Sequence, residues 1–185
     1  MKLLHLFGEP SVQLAARQLY VHVVHQARRP EFYLHWHVPD TVDGRFDMIV
    51  LHVVLVMRRL KRDHEQAAET AQALFDLMFA DMDQNLREMG VGDMVIGKRV
   101  KAMAKSFFGR LAAYDFALSA EHDIALCAAL RRNLYRKCSP SDGAVTAMAS
   151  YVRRESAKLE GLPIKFLLSG DFSFGVASMS KGQTK

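Results

Sequence analysis

The chain has 185 residues, half of them hydrophobic, with a net charge of +5, two cysteines and five prolines. That is enough for one domain with a sizeable core, too few cysteines for a disulfide framework or a four-cysteine metal site, and too little proline for a sandwich of short strands. The charge is uneven: residues 1–62 carry +4, 63–95 carry −7, 96–137 carry +6 and the remainder +2. A basic face of this kind attracts nucleic acid, acidic protein or anionic lipid, and composition alone does not choose among them.

The start, MKLLHLFGEP, lacks a small-residue cleavage site, so a secretory signal is not expected. The two cysteines, Cys127 and Cys138, fit a reducing compartment. Helical spacing begins at Ser11, where Ala16, Leu19, Val23 and Ala27 mark one face and Pro30 stops the helix. Residues 31–44 read as a loop holding Phe32, Tyr33 and Trp36. A run of apolar residues follows from Met48 to Met57, broken only by His52. It is too short to cross a bilayer, which takes about 20 residues. Asp43 is placed to cap a helix here, and the bases at 58, 59, 61 and 62 suit its C-terminal end. Apolar residues surround its middle, so this helix is expected to be the central one, with His52 hydrogen-bonded inside.

A long helix is expected from Glu65 to Met89, closed by Gly90 in a left-handed conformation. The next, with Asp93 as a candidate cap, has Val100, Met103, Phe107, Leu111, Tyr114 and Leu118 at spacings of three and four. Ser119 and Asp142 are candidate caps for two further helices, the second closed by Gly161 and Pro163. The expectation is an all-α, single compact domain of about six helices over residues 1–165. An irregular segment, 166–185, follows, with MSKGQTK as a disordered end.

Candidate chemistry is sparse. His35 and His37 alternate, and His22 and His25 share a helix face, but no HExxH or paired ExxH completes a ligand set. The acids Asp76, Asp81, Asp83 and Glu88 point to different sides of one helix. The stretches DGR and GVGDMVIGKR match neither phosphate-loop pattern. No metal, cofactor, catalytic residue or small-molecule substrate is therefore expected. Lys98, Lys101 and Lys105 share one helix face with Arg99 beside them, early in the helix where positive charge opposes the dipole. They form either a solvated face or a contact for an anionic partner: ribosomal RNA, lipid headgroups or an acidic protein.

Val38-Pro39-Asp40-Thr41, Asp43-Gly44-Arg45-Phe46, Asp81-Met82-Asp83, Arg87-Glu88-Met89-Gly90, Gly97-Lys98-Arg99-Val100 and Tyr114 together resemble the ubiquinol–cytochrome c chaperone family, over about residues 11–137. The short chain without a targeting extension is similar to a bacterial member. The resemblance implies a helical, non-enzymatic assembly chaperone that binds cytochrome b or its nascent chain. It would be cytoplasmic, with a ribosome or the inner-membrane surface as further contacts. Phe32, Tyr33 and Trp36 then serve either as an exposed aromatic anchor for the client, which the resemblance favours, or as a lid over the central helix. Asp40, Asp43 and Arg45 position that helix and face the partner, as do Lys98, Arg99, Lys101 and Lys105. The competing readings are a ribosome- or RNA-binding helical module using the Lys98 face, and a small helical metal-dependent enzyme using His52 and the acids near 76–88.

Overall fold

A computed structural model describes residues 9–177. Among these, eight helices and no strand are present: α1 (Glu9–Ala27), α2 (Pro30–Leu34), α3 (Val42–Arg62), α4 (His64–Glu88), α5 (Asp93–Ser119), α6 (Ile124–Asn133), α7 (Asp142–Gly161) and α8 (Ile164–Leu168). Six are long and two are single-turn pieces. The MSKGQTK end lies outside the described residues.

Helix α3 is the axis of the fold, packed by α1, α4, α5 and α7. Every residue from Asp47 to Val56 is buried, as an all-round apolar helix requires. Its cap is Thr41 rather than Asp43: the Thr41 hydroxyl accepts from the Gly44 N–H at 3.1 Å, and Asp43 falls in the first turn. Gly44 is needed there because a Cβ would run into the Pro39 carbonyl oxygen. The Val38-Pro39-Asp40-Thr41 and Asp43-Gly44-Arg45-Phe46 motifs are thus one local device that folds a tight corner onto the head of α3. At the other end, Arg59 donates to the carbonyls of Leu159 at 3.0 Å and Leu162 at 2.8 Å, satisfying the last turn of α7.

His52 is fully buried and satisfied on both nitrogens. Its Nδ1 lies 2.8 Å from the Met48 carbonyl, so it donates there, and its Nε2 accepts from the Tyr151 hydroxyl at 2.8 Å. Tyr151 in turn accepts from Gln26 Nε2 at 2.9 Å, tying α1, α3 and α7 together.

Residues 31–44 are not a plain loop: Pro30 both follows α1 and opens α2, where its missing N–H costs nothing. Asp142 likewise cedes the cap of α7 to Ser141, whose hydroxyl accepts from the Ala144 N–H at 3.2 Å. Residues 120–123 form a turn, so α6 starts only at Ile124. Beyond α8, residues 169–177 form a strap over α1 and α7. Gly170 takes a positive φ of 70°. Gly175 donates its N–H to the buried Glu155 at 2.6 Å and accepts from Gln26 at 2.8 Å. Phe174 stands edge-on to His52, with ring centroids 5.0 Å apart.

Candidate functional site

A groove of about 420 Å³ opens where the head of α3, the end of α4 and the first half of α5 meet. Its apolar lining includes Val42 and Phe46 from α3, Met82 and Leu86 from α4, Met89 just past the end of α4, and Met103 from α5. The α4–α5 hairpin that frames it turns on Gly90, whose φ is 77°. Three methionines make the lining adaptable, because unbranched thioether chains repack around differently shaped apolar surfaces.

Charge is held at one wall. Arg110, buried, places Nη2 2.8 Å from Asp47 Oδ1 and its guanidinium 5.8 Å from the centre of the Phe46 ring. Arg136 reaches the other Asp47 oxygen at 2.9 Å and lies 3.8 Å from Asp43. Lys137 also pairs with Asp43 and holds its carboxyl below the usual carboxylate range. Two carboxylates therefore meet three cations, leaving the wall positive. Arg99, on the same face of α5 as Arg110, also lines the groove. Asn85, Ser106 and the paired Asp43 complete the polar lining, so an apolar surface lies beside a charged wall.

The residues singled out from the sequence fall in four places. Asp43 and Arg99 line the groove. Asp40 and Arg45 pair with each other at 2.6 Å on the surface, bordering a smaller cavity of about 260 Å³ beside Tyr33. Tyr33 is half-buried and donates to the Ala27 carbonyl at 2.6 Å. Phe32 and Trp36 are in the core, 5.1 Å and 5.5 Å from the Tyr151 ring, with Tyr135 donating to the Trp36 carbonyl at 2.8 Å. The expectation of an exposed anchor is corrected for these two: α2 turns them inward, and the lid is what forms. Lys98, Lys101 and Lys105 stand exposed on α5, beside the groove and outside it.

Sequence reasoning missed Phe46, Met82, Met103, Arg110 and Arg136 as parts of one site. Two signals were available. Five of the ten methionines fall between residues 78 and 103, and Arg110 interrupts the apolar stripe of Phe107 and Tyr114, which calls for a buried acid opposite it. The acids near 76–88 serve structure: Asp81 accepts from Tyr20 at 2.7 Å, and Asp83 pairs with Arg87 at 2.6 Å. Among the described residues no group of three or more histidine, cysteine or acidic side chains could hold a metal ion, and no helix is long and apolar enough to cross a membrane.

A family model described as ubiquinol-cytochrome C chaperone matches residues 34–174, reaching beyond the motifs through α7 and α8 into the strap. The crystal structure of the Cbp3 homolog from Brucella abortus superposes with a TM-score of 0.82 at 34% identity, covering 91% of this chain and 93% of that one. Ubiquinol-cytochrome c reductase complex assembly factor 1 is 25% identical over 84% of this chain in Mus musculus and 26% identical over 91% of it in Homo sapiens. The chain spans about half the length of these two relatives, 52% and 56%. With most of its length matched and its fold shared, the chain belongs to the ubiquinol-cytochrome C chaperone family.

Proposed function

We propose that this protein is an assembly chaperone of the respiratory cytochrome bc complex, and that it shelters an apolar segment of cytochrome b in the groove between α3, α4 and α5. The observation that carries this reading is a convergence. Four of the motifs that bear the family resemblance, one at the head of α3 and three within residues 81–100, each send a side chain into this one groove: Phe46, Met82, Met89 and Arg99. A lining of methionine and aliphatic side chains suits the apolar face of a helix. The positive wall repels segments with exposed basic ends and accepts acidic ones. The role is binding and release, without covalent chemistry. A client of this kind is made at a membrane, and a chaperone peripheral to that membrane meets it there.

Ala102 is an exposed position in the lining, so Ala102→Trp fills the groove without disturbing the core. The variant is expected to fold normally, while capture of newly made cytochrome b falls about tenfold, as for the loss of one interface anchor. Full capture by a folded Ala102→Trp protein would remove the groove as the client site.

A further inference from the structure

Only one side of α5 faces the groove. Residues of an α-helix advance by about 100° each, so Met94, Lys98, Lys101, Lys105, Phe108 and Phe116 fall within about 40° of a single line along the helix. That line is about 33 Å long at the α-helical rise. All six residues face solvent: Met94 is 85% exposed, Phe108 56% and Phe116 75%. The three lysines make no ion pair among the described residues. The two acids of α5 are engaged elsewhere, Asp93 with Arg87, and Asp115 with Arg58 at 3.0 Å and Lys61 at 3.2 Å.

A merely solvated face has no use for three large apolar side chains at such exposure, and like charges at spacings of three and four repel one another. A polyanionic nucleic-acid backbone would account for the lysines, but not for the methionine and phenylalanines that bracket them. One surface accounts for both: a plane of phosphates over a shallow apolar layer. Lysine stems are long enough to lie along that boundary with the ammonium at the phosphates, while Met94, Phe108 and Phe116 enter the acyl edge. We infer that this face of α5 lies on an anionic phospholipid bilayer. The groove side of the helix, with Arg99 and Met103, is then turned nearly half a turn from the membrane-facing line, so the groove opens on the side away from the bilayer. The inference stands whatever the groove holds.

Flotation of the full chain with phosphatidylcholine vesicles, with and without phosphatidylglycerol, tests it. Binding is expected only to the anionic vesicles, and it should weaken as salt rises. The triple variant Lys98→Glu, Lys101→Glu, Lys105→Glu should lose on the order of a hundredfold in partitioning. Met94→Ser with Phe116→Ser should also weaken it, by about tenfold, with unchanged circular dichroism. In Phe116→Trp, emission should shift to the blue on vesicles, against a constant background from the buried Trp36. If charge reversal disturbs the fold, the triple Lys→Gln variant replaces it. Absence of binding to anionic vesicles overturns the inference, as does binding that survives loss of the lysines. Full vesicle binding by Met94→Ser, Phe116→Ser also overturns it. If, in addition, the lysine variant alone loses binding to a ribosomal RNA fragment, the face belongs to RNA.

Discussion

Arg110 on α5 holds Asp47 on α3 across 2.8 Å, both side chains buried beneath the groove. A charge in such a place is tolerable only with its partner, so removing one costs more than the pair is worth. Asp47→Ala strands Arg110 and should lower stability by about 3–5 kcal/mol in urea denaturation. The double replacement Asp47→Leu, Arg110→Met should recover most of that loss. A single-variant loss below about 1 kcal/mol would mean that water already reaches the pair.

His52 gives the protein an acid-sensitive core. Burial disfavours its charged form and lowers its pKa from 6.5 to about 4, outweighing the hydrogen bond from Nδ1 to the Met48 carbonyl, which acts the other way. The unfolded chain therefore binds a proton that the folded chain refuses. The stability held above pH 6.5 should decline as pH falls toward 4, by on the order of 3 kcal/mol. Denaturation series at several pH values should show one proton taken up on unfolding within that window, absent in His52→Gln. The same uptake in both proteins would assign it to another group.

Trp36 is the test of the lid. Its ring packs 5.3 Å from Phe32 and 5.5 Å from Tyr151. Trp36→Ala leaves a large cavity and should cost about 3–5 kcal/mol, lowering the melting temperature on the order of 10 °C. A melting temperature that stays put, with client capture lost, would return Trp36 to the role of anchor.

Much of this architecture was legible in the residues. The run from Met48 to Met57 continued past its β-favouring valines into Leu60 without a turn, and that continuity identified the central helix. The three lysines of α5 could be placed on one face by counting. What stayed hidden depended on tertiary contact. Helix α2 is five residues long, shorter than one period of any pattern, and Pro30 serves equally as the end of one helix and the start of the next. The inward turn of Phe32 and Trp36 follows from that small helix, so it was lost with it. Thr41 and Asp43 are both good caps two residues apart, and the contact of Gly44 with Pro39 decides between them. The groove draws Phe46, Met82 and Met103 from three helices, and no local spacing announces such a meeting. The strap was invisible for a similar reason: Phe172 and Phe174 alternate with serine and glycine, and residues of α1 and α7 earlier in the chain, among them His22, Gln26, Glu155 and Lys158, hold the segment in place.

The bond between His52 and Tyr151 spans 99 residues, and the Phe174 ring that leans on His52 comes later still. On a translating ribosome, α3 therefore leaves the exit tunnel well before α7 and the strap have been made. Through that interval the central helix of the protein has one flank bare to solvent. The closing event must bring together segments separated by more than half the polypeptide, a slow step because the entropy of so large a loop is lost before its contacts form. The protein's own birth thus contains a window of vulnerability, whose length is set by how quickly the last third of the message is read.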